Sequence, residues 1–269
     1  MALWLWYRGD RFRGYQAQTE GPTVQQSLER ALSAMGVEAS THASGRTDLG
    51  VHARMQVVGF RPPEALSPEQ LHEKLPPLLP EGLGLVRAKP TPRAFHAQWS
   101  CAGKEYRYRL RLGPSPGWDA VSWPVQEHPR ILRPVEPAKV AELLSRALGT
   151  RDFIAFHEKS SPQKPRTLER ADLVELSPGL FEVRLSGSGF GRYQVRYLVG
   201  SAVATAAGTL SEEQWQGALE AGTPIEGVRA PAEGLILWDV RYPPEVDPFS
   251  ASERAAPPGL PQEPPFVSP

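Results

Sequence analysis

The segment Ser44, Gly45, Arg46, Thr47, Asp48, Leu49, Gly50, Val51, His52 gathers side chains that could do chemistry. It lies between two stretches patterned as strands, and glycines on both sides leave one carboxylate that a rigid sheet could hold with little positional freedom. A carboxylate held in this way can serve as a nucleophile or take up a proton, provided it stays ionised in a partly dry pocket. The same residues also admit a plainer role, because Asp and Thr close Asx and ST turns. His42, Asp48 and His52 could be drawn as a metal triad, but their spacing matches no recognised short metal motif. The run GSGFGR from Gly187 has neither the lysine of a P-loop nor the glycine spacing of a dinucleotide fold, so it reads as a turn into a helix. Within it, SGFGRYQV echoes the RNP1 octapeptide, though the leading basic residue and the later aromatic and valine positions are missing.

The elements that must position these groups follow from local pattern. Ala2 to Tyr7 is an aromatic-rich run suited to a buried strand, and the N-terminus lacks the basic region and cleavage site of a signal peptide. Thr23 with Gln26 three residues on forms a capping-box pattern, and Val24, Leu28, Ala31, Leu32 and Met35 recur at helical spacing before Gly36. Strands are expected at Val37 to Ala43, Met55 to Phe60, Gly84 to Ala88 and Gln98 to Leu112. Ser67 and Pro68 open a helix toward Leu75. A second set comprises a helix from Pro137 to Leu148, a hairpin of Thr167 to Leu176 with Phe181 to Ser188, and a small-residue-rich helix from Arg192 to Ala207. A helix capped at Ser211 and a closing strand from Leu235 to Tyr242 complete it. Two similar halves in an α+β arrangement are the simplest account, with a first half over 1–104 and a second over 105–244. Residues 245–269, with seven prolines from Pro248 onward, are expected to form a loose tail.

Composition narrows the class of protein. No segment approaches the roughly 20 apolar residues of a membrane span. Cys101 is the single cysteine, which excludes an intrachain disulfide and a thiolate metal cluster and suits a reducing cytoplasm. The formal net charge is zero, but the tail from Glu245 holds four acids and Arg254, so the preceding body carries +3. Of the 30 cationic side chains 24 are Arg, the better planar partner for phosphates and bases.

Several ordered blocks share one resemblance. GRTDLGVHA resembles the signature loop of the TruA family of tRNA pseudouridine synthases. Upstream, YRGDRFRGYQAQ and TVQQSLERAL resemble its opening loop and first helix; downstream, FHAQWSCAGKEYRYRL, DFIAFHEKSS, RTLERADL, GFGRYQVRYLVGSAV and APAEGLILWDVRY resemble its later blocks. The match runs from about Leu3 to Tyr242. It implies a pseudouridine synthase fold: two ferredoxin-like α/β halves forming a continuous mixed, mainly antiparallel sheet with a central active-site cleft. It also implies a cytoplasmic homodimer acting on tRNA uridines 38, 39 and 40, in the anticodon stem-loop, with no cofactor and no metal.

By that resemblance Asp48 matches the essential aspartate and Arg46 the arginine that helps hold a flipped nucleotide. Tyr106 matches the active-site tyrosine, although Tyr108 is expected on the same strand face. Arg196 matches the arginine that pairs with the catalytic carboxylate. Arg192, four residues earlier and expected on the same helix face, is a phosphate contact or a second ion-pair partner. Family members often carry Asn where this chain has Tyr197. Arg8, Arg11, Arg13, Tyr15, Gln16 and Gln18 are the expected RNA contacts in the first loop. The reaction fits these groups, since isomerisation breaks the N1 to C1′ bond, turns the base and rejoins it through C5 without redox change. A noncatalytic RNA-binding α/β protein is the competing reading.

Overall fold

A computed structural model describes residues 1–114 and 117–267. In chain order the first elements are β1 (Ala2–Tyr7), α1 (Val24–Ala34), β2 (His42–Ala43), β3 (His52–Gly59), α2 (Pro68–Lys74) and β4 (Leu83–Lys89). Next come β5 (Gly103–Arg111), β6 (Trp123–Pro124), α3 (Pro137–Ser145), β7 (Gly149–Arg151), β8 (Arg166–Ser177) and β9 (Leu180–Gly187). The chain closes with α4 (Gln194–Ala206), α5 (Glu212–Ala221), β10 (Leu235–Arg241) and α6 (Ala251–Ala255). It divides into two compact units, Met1–Ala102 with Ile236–Val267, and Gly103–Leu235.

In the first unit β1 is central, antiparallel to both β3 and β4, while β10 joins β3 in parallel through Ile236↔His52 and Leu237↔Ala53. The expected boundary at 244 is therefore corrected, because the closing strand returns to the first unit. α1 starts where the sequence indicates, with the Thr23 side chain accepting from the Gln26 N–H, and it buries Val24, Leu28, Ala31 and Leu32. Ser67 and Gln70 complete a reciprocal capping box on α2. The strand expected over 37–43 shrinks to His42–Ala43, because Val37 N–H donates to the Leu32 carbonyl and closes the helix end instead.

The proline-rich tail is not loose. Residues 245–267 fold onto the first unit, and the last two positions of the expected tail lie outside the described residues. Phe249 meets Trp4 edge-on at 5.6 Å and Phe266 meets Trp6 at 5.5 Å. Arg254 pairs with Asp239 and Asp247, while Glu253 takes Arg87 at 3.3 Å and Lys89 at 2.9 Å. Burial alone would raise the Glu253 pKa, but hydrogen bonds from Lys89 and Ser250 hold it down at about 2. Few apolar residues are needed here, since Phe249 and Phe266 each reach an aromatic ring on β1 and prolines leave less chain entropy to lose.

In the second unit β5, β9 and β8 form an antiparallel ladder with β7 at its edge, and β6 lies parallel to β5. Three arginines converge on Glu182: Arg107 at 3.2 Å, Arg109 at 3.0 Å and Arg184 at 2.8 Å. Both Glu182 and Arg109 are fully buried. Replacing Glu182 by Ala leaves those charges in the ladder without their shared carboxylate, and urea unfolding should show a loss of roughly 3–5 kcal/mol.

Candidate active site

The Asp48 loop is held from three directions in the first unit. Beneath it, Gln56 on β3 donates to the Gly45 carbonyl at 2.8 Å and to the Tyr7 hydroxyl at 3.2 Å, and it accepts from Ser44 Oγ at 2.7 Å. Tyr7 in turn shares a 2.7 Å hydrogen bond with Thr47 Oγ1. All four side chains are buried, so each polar group has a partner where water is scarce. Burial pushes the Tyr7 pKa up to about 12 even though the bonds to Thr47 and Gln56 pull it back, so Tyr7 stays a neutral strut. From the side, the Tyr15 N–H donates to the Thr47 carbonyl at 3.0 Å. Within the loop, the Val51 N–H donates to the Asp48 carbonyl and Gly50 adopts φ +83.

Glycines of the opening loop make this approach possible. A side-chain carbon on Gly9 would sit 2.4 Å from backbone atoms of Gly50 and Val51. On Gly14, at φ +90, it would sit 2.9 Å from the Thr47 carbonyl oxygen. The Gly9 N–H also donates to His52 Nδ1 at 3.1 Å, which ties down the far end of the loop. Thr47 is thus turned inward, while Asp48 is half-buried and Arg46 exposed. Arg46 has no ion pair or side-chain hydrogen bond among the described residues, which leaves its guanidinium available to an anion or a base.

The other expected contacts of this unit divide. Arg13 is exposed, and Gln16 is half-buried, donating to Gln25 Oε1 at 2.7 Å. Arg8 is occupied by Asp10 at 3.1 Å and by Glu263 of the tail at 3.7 Å, and Arg11 by Glu81 at 3.1 Å. Tyr15 is corrected as a surface aromatic: it is 2 % exposed, and its ring belongs to the core that supports the loop. The metal triad does not form either. His52 accepts from Gly9, His42 stacks on His96, and no group of three His, Cys, Asp or Glu among the described residues could hold a metal ion.

The second unit carries Tyr106, Arg192 and Arg196. The two tyrosines of β5 differ. Tyr108 is fully buried and donates to the Pro231 carbonyl at 2.9 Å, and burial raises its pKa well above the usual range. Tyr106 meets Phe190 edge-on at 5.2 Å and retains slight exposure. Tyr106 is the better placed of the two to meet a ligand. Arg196 lies in the first turn of α4, where its Nε donates to the Ala230 carbonyl at 2.7 Å and its own carbonyl accepts from the Ala230 N–H. Close packing allows this double tie, since a side-chain carbon on Gly200 would lie 2.0 Å from the Val228 carbonyl oxygen.

Arg192 is corrected to a position outside the helix. Tyr193, at φ +62, turns the chain before α4 begins at Gln194, so Arg192 and Arg196 do not share a helix face. They meet on the Tyr193 ring instead, at 4.8 and 5.3 Å, with Arg229 at 4.6 Å. Sequence reading missed Tyr193 and Arg229 as partners; the glycines before Arg192 were the available signal for a turn. This geometry also removes the RNP1 comparison, because the octapeptide forms a turn and a helix start rather than a strand of a sheet.

Comparison with known proteins gives a consistent result. A family described as tRNA pseudouridine synthase matches residues 144–243. The tRNA pseudouridine synthase A of Anoxybacillus flavithermus is 36% identical over 241 residues, covering 88% of this chain and 96% of that protein. The Bacillus subtilis protein of the same name is 34% identical over 242 residues with the same coverage. A solved pseudouridylate synthase overlaps 95% of this chain and 73% of its own, at 14% identity and a TM-score of 0.35, too low to carry an inference.

The packing of α4 yields a test that needs no ligand. Gly200→Ala must displace the 228–230 backbone that fastens Arg196, so it should destabilise the protein by roughly 1–3 kcal/mol in denaturant unfolding.

Proposed function

The chain belongs to the tRNA pseudouridine synthase A family, and from that premise we propose that it converts uridine to pseudouridine at positions 38, 39 and 40 of tRNA, with Asp48 as the reacting carboxylate. It is an isomerase acting on tRNA. The observation that carries the assignment of Asp48 is the rigidity of its loop, pinned through Thr47, Gly45 and Gly50 while the carboxylate residue itself stays half-buried.

Isomerisation releases uracil from C1′, turns it, and forms the C5 to C1′ bond; the hydrogen on C5 then leaves as a proton, and N1, freed from the ribose, takes one up. Atoms and electrons balance without a cofactor. Asp48 acts as an ionised group, and the Arg196 guanidinium is the cation proposed to keep it so. A uridine stacked in a stem is out of reach, so the target nucleotide leaves the stack, at a cost of a few kcal/mol. Arg46, exposed at the edge of the loop, braces the opened site. Tyr106 stacks on the base and belongs to the proton path from C5. Arg8, Arg13, Gln16 and Arg192 contact the RNA, with Arg8 exchanging Asp10 and Glu263 for phosphate. The enzyme works in the cytoplasm as a homodimer that recognises the anticodon stem-loop largely by shape.

Asp48→Ala should abolish pseudouridine formation on tRNA transcripts while RNA binding and the unfolding midpoint persist. Full activity in that variant rejects the mechanism. Tyr106→Phe should lower the rate roughly 10²–10⁴-fold, whereas Tyr108→Phe should mainly cost about 1 kcal/mol of stability, because its hydroxyl serves Pro231. The reverse pattern would exchange the two roles.

A further inference from the structure

Three aromatic rings form a column at the surface of the first unit. His42 on β2 stacks on His96 with ring centroids 5.4 Å apart and planes 25° from parallel. His96 stacks on Trp99 at 4.0 Å and 13°. Trp99 is nevertheless 80 % exposed, the most open of the Trp, Tyr and Phe rings among the described residues. A large flat ring anchored in a stack and open to solvent has room for another flat ring.

The column is fixed in advance. The N–H groups of Gln98 and Trp99 both donate to His96 Nδ1 at 3.2 Å, so the imidazole cannot turn and its proton sits on Nε2. The His96 N–H donates to Ser100 Oγ at 3.0 Å, and the Ser100 N–H returns to the His96 carbonyl at 2.9 Å. Burial, and to a lesser degree the neighbouring His42, lowers the His96 pKa, which favours the neutral ring this arrangement requires. A platform already ordered does not have to be immobilised when its partner arrives.

The surroundings favour a nucleobase over a protein partner. Trp99 is flanked in sequence by Gln98 and Ser100, and the rings below it are imidazoles with polar edges. The core of a protein interface would need a contiguous apolar patch that one indole does not provide. Arg93, three residues before His96, and Arg61, two residues beyond the Gly59 that pairs with His42, are both exposed. Neither makes an ion pair or side-chain hydrogen bond among the described residues, which leaves both able to meet an anion. β3 runs from His52, which closes the Asp48 loop, to Gly59 at the column, seven residues or about 23 Å at strand rise. That separation places the column well outside the reacting nucleotide.

We propose that the His42, His96, Trp99 column is a stacking platform for an unpaired nucleobase of the RNA substrate, remote from the uridine that reacts. The proposal rests on the reading of the chain as an RNA-acting enzyme. It adds a contact that reads no sequence, because every base has a π face.

Fluorescence anisotropy with a tRNA transcript and with an unstructured oligouridylate tests it. Trp99→Ala should weaken both complexes roughly 5- to 150-fold, and Trp99→Phe should recover most of the affinity. The slope of log Kd against log salt should not change in either variant, because no phosphate contact is removed. Unchanged affinity in Trp99→Ala overturns the platform. So does a loss of affinity that accompanies a fall in oligomeric state by sedimentation, which would make Trp99 part of an interface with a second copy. Wild-type protein that binds both RNAs but converts no uridine would sink the catalytic reading and leave the platform intact. Wild-type protein that binds neither RNA overturns both.

Discussion

Gly9 and Gly14 bring the opening loop into backbone contact with residues 47–51, and the placement of Asp48 depends on that contact. No other residue fits at either point without moving the backbone opposite, and Gly14 also needs a positive φ. The loop cannot relax in the other direction, because Gln56 and Tyr7 hold Gly45 and Thr47 from below. A buried network with every partner present makes a stiff mount, and removing one member would leave polar groups stranded. The polar residues around Asp48 therefore hold the loop in place, while Asp48 itself stays half-buried and Arg46 exposed.

The second unit follows the same principle with different parts. Arg196 is tied through both its side chain and its carbonyl to Ala230, and Gly200 lets that segment come close enough. Tyr193 accepts a left-handed backbone and presents one ring to three guanidinium groups. Part of this gathered charge is offset on the spot, since Glu158 lies 3.9 Å from Arg229. Arginine rather than lysine is the side chain for this purpose, since its plane lies flat on an aromatic ring. A chain with no net charge can still offer RNA a favourable face when its cations are gathered locally.

Much of this was legible because the relevant signals are local. The caps at Thr23, Ser67 and Ser211, the β8–β9 hairpin and the glycine-flanked Asp48 loop each follow from a few adjacent residues. What escaped depends on partners far apart in the chain. Tyr15 reads as a surface aromatic until the core closes over it. The tail reads as loose because the rings it docks on, Trp4 and Trp6, lie at the opposite end of the sequence. Arg192 reads as part of a helix because helical spacing does not reveal a positive φ at Tyr193. The aromatic column needs His42 and His96 to meet, which no local pattern encodes.

The central claim is that this chain moves the ribose of a tRNA uridine from N1 to C5. Transcripts carrying uridine deuterated at C5 test it directly, because the new bond forms at that carbon and the label must leave. The account predicts that purified protein alone releases deuterium from positions 38 to 40, in step with pseudouridine detected there by mass spectrometry. Retention of the label at those positions, in tRNA that the protein demonstrably binds, would contradict it.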